Sequence, residues 1–247
     1  MVSLELVPRD RESLISSSGL VPRYQDITCI NIPDLLRFSI RSWEACSILQ
    51  SAGIDSAQCI PHIRATDYSL NEPFPHTEFF LKEGISNALV IAGDPPKDAS
   101  VKTYDTRSTD FISKLKKEMP GLKVFAAFDP YRSNIRYELD YVREKEDAGA
   151  DGFLSQPFFD LRLLEIYAEY LEGKNVFWGI SPVMSESSRN YWESRNRAIF
   201  PKFFKPDLFW NVDFGRRVYQ FCKKYRFNLY LMPIKVDLEA YLSGIFL

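Results

Sequence analysis

The sequence predicts a closed (β/α)8 barrel. Eight short β-rich runs alternate with longer amphipathic stretches along 247 residues, which is the spacing of that fold. The first turn, "ELVPRDRES", holds no glycine, whereas an open doubly wound sheet usually carries a Gly-rich phosphate turn there.

The strands are expected at 3–8, 26–32, 57–63, 87–93, 123–129, 152–159, 176–183 and 227–234. Each is a short run rich in β-branched, aromatic or small apolar residues, and most are closed by Gly, Pro or Asp. A weak helix fits 10–20. Stronger helical patterns cover 34–52, 75–85, 106–119, 134–148, 160–173, 187–196, 213–225 and 236–246. "REKEDAGAD" (143–151) has the charged last turn and following glycine that end a helix before the next strand. Neither a low-complexity linker nor a longer internal repeat interrupts the pattern, so one domain spanning 1–247 is expected.

Composition narrows the function classes. Apolar residues make up 45% and aromatics 15%, ample for a packed core, and the formal charge is −2. Basic residues form no stripe, so nucleic acid is not an expected partner. The apolar runs fall short of the roughly 18 residues a membrane helix needs. The start lacks a signal-peptide pattern, so a cytoplasmic protein is expected. Cysteines 29, 46, 59 and 222 form no Cys-x-x-Cys pair and read as reduced thiols, without a metal site. Phe203, Phe204, Phe209 and Trp210 are expected to be core residues, with an interface as the alternative.

In such a barrel chemistry belongs at the C-terminal strand ends. Those ends supply Glu5, Asn31 and Asp34, His62 and Arg64, Asp94, Asp129, Gln156 and Lys235. Glu5, between Leu4 and Leu6, is either an outward surface residue or an acid tuned by burial. His62 taken alone reads as a satisfied core histidine. In "NALVIAGDPPKD" (87–98) a strand ends on Asp94 before two prolines, which reads either as a turn cap or as a carboxylate held for a ligand.

Taken in order, "LELVP" (4–8), "PHIRA" (61–65), "IAGDPP" (91–96), "EKEDAGADGF" (144–153), "LSQPFFD" (154–160) and "GISPV" (179–183) resemble the methylenetetrahydrofolate reductase family. "INIPDLLR" (30–37) is similar to its shorter prokaryotic branch. The resemblance implies reduction of 5,10-methylenetetrahydrofolate to 5-methyltetrahydrofolate, with hydride from NAD(P)H through FAD. It implies Glu5 as general acid, with Asp94 contacting the pterin and tuning the flavin. FAD contacts would come from Asn31, Asp34, His62, Arg64, Gly93, Asp94, Phe128 and Lys145. Folate contacts would come from Asp94, Gln156, Phe159 and Lys235.

The chain departs from the family pattern at several positions. Ala92 stands where many members have arginine, with Arg64 as a substitute, and Glu186 stands near a usual stacking aromatic. Phe128 replaces a tyrosine, Asn31 a threonine, and the loops at 97–105 and after 183 are brief. These departures leave two alternatives beside the reductase: a pterin-binding methyltransferase barrel, and a non-catalytic or partner-dependent homologue with weakened flavin binding. A homo-oligomer or a partner subunit fits either family reading.

Overall fold

The structure, a computed structural model, describes residues 1–95 and 101–247. The strands are β1 (Val2–Glu5), β2 (Ile27–Ile32), β3 (Cys59–Arg64), β4 (Asn87–Ile91), β5 (Lys123–Phe128), β6 (Gly152–Ser155), β7 (Val176–Ile180) and β8 (Asn228–Leu231). They close into a barrel in sequence order, each parallel to its neighbour, with β8 returning to β1. The eight expected strands are all present.

Among the described residues the helices are α1 (Arg11–Ser18), α2 (Ser42–Ser51), α3 (Thr77–Glu83), α4 (Ser108–Glu118), α5 (Ile135–Asp147), α6 (Leu161–Tyr170), α7 (Glu186–Asn196), α8 (Leu208–Tyr225) and α9 (Leu238–Phe246). Even the weak first pattern forms a helix, because the Asp10 carboxylate accepts the Ser13 backbone N–H at 2.7 Å. Helix α8 starts earlier than its hydrophobic period indicates, where Asp207 caps the Trp210 N–H at 2.7 Å. Two helices, α7 and α8, therefore separate β7 from β8. None of the described helices is long and apolar enough to cross a membrane.

The largest departure from expectation lies after β2. The pattern at 34–52 reads as one helix, yet α2 begins only at Ser42. The Asp34 carboxylate accepts from Arg41 Nε at 2.9 Å and lies 3.4 Å from the Ser42 backbone nitrogen, so it serves the start of α2 from outside it. Residues 33–41 are thereby left as a loop over the end of the barrel. The Pro95-Pro96 turn is described only as far as Pro95, and 97–100 of the expected 97–105 loop also lie outside the described residues.

Period-two alternation divides every strand between two cores. Leu4, Ile30, Ile63, Val90, Ala126, Phe153, Trp178 and Leu231 face the helices. Ile60, Leu89, Phe125, Leu154, Phe177, Tyr230 and Met232 fill the interior, with Phe125 edge-on to Phe177 at 5.8 Å. Burying each of the Val, Leu, Ile, Phe and Met side chains among these stabilises the fold by about 1.5–3 kcal/mol. Between β1 and β2 the register slips: Val2 faces Ile27, but Ser3 faces Cys29, so Thr28 is an unmatched bulge residue.

All four cysteines are free, and Cys46, Cys59 and Cys222 are buried. The aromatic run near 203–210 splits. Phe204 is buried and Trp210 packs on it at 4.5 Å, whereas Phe203 and Phe209 are 81% and 85% exposed. The latter two are not core residues, since one sits in the connection before α8 and the other on its outer first turn.

A candidate active site at the C-terminal mouth of the barrel

A cavity of about 920 Å³ opens where the strands end. Its lining comes from β1, β3, β4, β5, β6 and β8, from the loop after β2, and from α7. Leu89, Ile91, Ala127, Leu154 and Met232 give it apolar walls. The size and the mixture of apolar wall with a few polar groups suit an organic cofactor or substrate.

Alternation along β1 places Leu4 and Leu6 among the helices and turns Ser3 and Glu5 inward. Glu5 is thus the inward acid and not a surface residue. Removal from water pushes its carboxyl up to about 7, against a smaller opposing pull from the hydroxyl that Tyr230 donates to Oε2. Beside it Asn31, wholly buried, donates its amide to Ser3 Oγ and sits 3.3 Å from His62 Nε2. With the amide nitrogen spent on Ser3, Asn31 Oδ1 is the group left to accept the imidazole N–H. Burial holds His62 neutral, with its pKa down at about 3.

The wall around Asp94 is built from charge pairs. Gly93 adopts φ 96°, and a Cβ there would lie 2.7 Å from Thr66 Oγ1, so only glycine fits. Arg64 Nη2 donates to the Asp94 carbonyl at 2.6 Å, and its Nε donates to Asp67 at 3.1 Å. Arg41 joins Asp67 at 3.0 Å to Asp34, which it grips with both nitrogens. A chain of alternating charges therefore runs from the loop after β2 to the end of β4, and Asp94 is left exposed at the cavity. Arg64 does reach the turn where Ala92 leaves a gap, but as a strut under the backbone.

Across the cavity, Asp129 accepts the Tyr131 N–H at 2.9 Å, and burial raises its pKa. Buried Glu138 accepts the Asp129 N–H at 2.9 Å and pairs with Arg132 at 2.6 Å. Lys145 lies behind this wall. Its ammonium donates to the Ala127 carbonyl at 2.5 Å and sits 3.8 Å from the centre of the Tyr141 ring. Burial lowers its pKa to about 7.

The structure gathers Glu5, Asp34, His62, Arg64, Gly93, Asp94 and Gln156 around one cavity; Phe128 borders it, but its ring turns to the helix side of β5, buried against Tyr167 and Trp178, and is not a ring contact for a cofactor. Asn31 stands behind His62, and the carboxylate of Asp34 is occupied by Arg41. Lys145, Phe159 and Lys235 are not among the lining residues. Lys145 turns to a strand carbonyl. Phe159 is fully buried, stacked on Phe200 at 4.4 Å and edge-on to Trp192 at 5.3 Å. Lys235 is exposed, at φ 53° where the chain turns away from β8. Glu186 also lies outside, on α7 within 3.8 Å of Arg189.

Sequence reasoning passed over Tyr230, Trp192, Arg37 and Arg132, all of which line the cavity. Alternation along β8 would have found Tyr230, since it shares the inward face with Met232. No local signal marks Trp192, which arrives from α7.

Fold and site together define a barrel of the enzyme type, with acid, amide and neutral imidazole groups converging on one hollow at the strand ends. The methylenetetrahydrofolate reductase family model matches residues 14–208, and the chain belongs to that family. It is 24% identical over 174 residues to a probable methylenetetrahydrofolate reductase (NADPH) of Caenorhabditis elegans, covering 66% of this chain and 26% of that protein. It is also 24% identical over 164 residues to the 5,10-methylenetetrahydrofolate reductase of Buchnera aphidicola subsp. Schizaphis graminum (strain Sg), covering 63% of this chain and 54% of that one. The matches thus span about half of the bacterial relative and a quarter of the nematode one. Among solved structures, 2,3-dimethylmalate lyase superposes with a TM-score of 0.57 at 9% identity, covering 99% of this chain and 78% of that one. Oxaloacetate acetylhydrolase bound to 3,3-difluorooxalacetate gives 0.58 at 11% identity, covering 98% and 77%. At such identities the likeness is one of fold.

Proposed function

We propose that this chain reduces 5,10-methylenetetrahydrofolate to 5-methyltetrahydrofolate, with hydride drawn from a reduced nicotinamide by way of FAD. The observation that carries the reading is Glu5, an inward carboxyl that holds its proton up to about pH 7 beside a cavity rimmed by Asp94 and Gln156. Opening the methylene bridge needs a proton delivered to the departing nitrogen, and an acid of that strength delivers it near neutral pH. The Asp94 carboxylate accepts N–H groups of the pterin edge, and the Gln156 amide both donates and accepts there. With the proton given up by Glu5, the one-carbon unit becomes an iminium that a hydride converts to methyl.

The lining fits a flavin. The apolar walls match a planar ring system, and neutral His62 meets it without adding charge. When bound, FAD would supply the carrier that takes hydride from the nicotinamide and passes it to the folate carbon. Gly93, Asp94 and His62 would hold the ring. Arg37 and Arg132 would meet the phosphates; among the described residues Arg37 has no ion-pair partner. One observation favours a second reading, a relative with weakened flavin binding: Lys145 is buried on the Ala127 carbonyl, away from the lining.

An absorption spectrum of the purified protein tests both. A flavin band that bleaches with reduced nicotinamide under anaerobic conditions and returns on adding methylenetetrahydrofolate is the expected result. A colourless protein that takes up no FAD and oxidises no nicotinamide when the folate is present would overturn the proposal.

A further inference from the structure

Strands β1 and β8 run parallel, with Ser3 opposite Tyr230 and Leu4 opposite Leu231. Glu5 therefore lies two residues above Tyr230, about 6.6 Å along the strand direction, within reach of a tyrosine ring that leans along its strand. The Tyr230 side chain belongs to the interior cluster and is 3% exposed. Its hydroxyl has one hydrogen-bond partner among the described residues, Oε2 of Glu5. Burial and the neighbouring carboxyl push the phenol well above its ordinary range, so it stays protonated and donates whether Glu5 is charged or neutral.

An oxygen that always accepts from a phenol is the poorer place for an acid's own proton. We propose that Tyr230 is a positioning residue for Glu5: by donating to Oε2 it confines the transferable proton to Oε1, which no other described residue engages. The inference deepens the reductase reading and rests on it for its catalytic meaning. A general acid works only when its proton points at the atom that receives it, and two equivalent oxygens would leave the proton misplaced much of the time.

The other charged and titratable groups around this acid are accounted for. Neutral His62 comes from β3 and lies 3.3 Å from Asn31 of β2. Arg64, Asp34 and Arg132 are paired with Asp67, Arg41 and Glu138. Arg37, Asp94 and Asp129 complete the cavity's charged groups. The direct hydrogen bond to Glu5 comes from Tyr230 alone among the described residues.

The experiment compares the whole chain with Tyr230→Phe by infrared difference spectroscopy across pH, with Glu5→Gln identifying the carboxyl band. Donation to Oε2 favours the carboxylate, so Tyr230→Phe should raise the Glu5 midpoint by about one pH unit, tenfold in proton affinity. The protonated carbonyl band should also move to higher frequency. In turnover, the alkaline limb of kcat should shift upward by the same amount. Below that limb kcat should fall about tenfold, with KM changed less than twofold. If Tyr230→Phe fails to fold, 3-fluorotyrosine at position 230 keeps the shape and strengthens the donor; it should move the midpoint and the band in the opposite directions. An unchanged midpoint and band in either variant would overturn the proposal. A shifted midpoint in a protein that reduces no folate would uphold the positioning role and sink the reductase reading.

Discussion

At the floor of the cavity ionisable groups are stripped of water and pushed toward their neutral forms; around its rim they are matched with opposite charges. Glu5 is raised to about 7, His62 lowered to about 3 and Tyr230 raised, and burial is the largest cause each time. Asp34, Arg41, Asp67 and Arg64 instead form a row of alternating charges, and Glu138 with Arg132 repeats the device across the opening. Desolvation alone favours the uncharged form, whereas a close opposite charge favours the ionised one. One region is therefore suited to hold and release a proton, the other to fix backbone turns and present Asp94. Lys145 is the exception beside the rim. It is buried without an ion-pair partner among the described residues, and burial lowers its pKa to about 7.

Glu5→Gln would break the comparison most severely. Under the proposed reaction it should lower folate reduction on the order of a thousandfold, with circular dichroism and flavin content unchanged. Activity within tenfold of the parent would mean that the floor does not supply the proton.

Next comes the rim. Asp67→Asn leaves Arg64, 5% exposed, and Arg41 without their shared carboxylate, and should cost about 3 kcal/mol in urea unfolding. The Asp94 turn should loosen with it, raising the folate KM. A cost of about 0.5 kcal/mol or less, as for a surface pair, would show that the row of charges is not a strut.

The pH dependence of stability sharpens the contrast further. His62 titrates near 6.5 when unfolded but only near 3 in the fold, so the unfolded chain binds the extra proton in that window. Stability should then fall on acidification, by about 2 kcal/mol at pH 5, and His62→Gln should remove that slope. Glu5 acts with the opposite sign. Its folded pKa lies above 4.5, so its contribution is lost as pH rises through about 7. Urea titrations at pH 5, 6, 7 and 8 on the parent and both variants would separate the two.

The smallest effect is expected at the mouth. Helix α7 has no fully buried residue, and its Trp192 reaches the cavity while resting edge-on against Phe159. Trp192→Ala should raise the folate KM about fivefold, roughly 1 kcal/mol, with kcat and melting temperature little changed. A fall in kcat with KM constant would move Trp192 from binding to the chemical step.

Much of this could be read from residue order, and the limits have physical causes. Strand period and Gly/Pro punctuation were enough for the barrel, because every strand must bury both faces. The same period, followed along β1 and β8, places Glu5 and Tyr230 inside. The loop at 33–41 was illegible because Leu35, Leu36 and the charges around them keep a helical period; only the capture of Asp34 by Arg41 stops it. The family resemblance implies ligand contacts at Lys145 and Phe159, but residue order does not give the direction of either side chain. Their directions depend on the Ala127 carbonyl and on Phe200, partners that sequence spacing does not bring near.

The unmatched Thr28 has a further consequence. Beyond it β2 turns Cys29 and Asn31 toward the lumen and Ile30 and Ile32 toward the helices. Strand faces are a matter of parity: Ile27 and Asn31, four residues apart, would share a face in an unbroken strand, and the extra residue is what lets the isoleucine look to the helices and the amide to the lumen. The polar face of the molecule's second stave is thus decided by whether a count is odd or even.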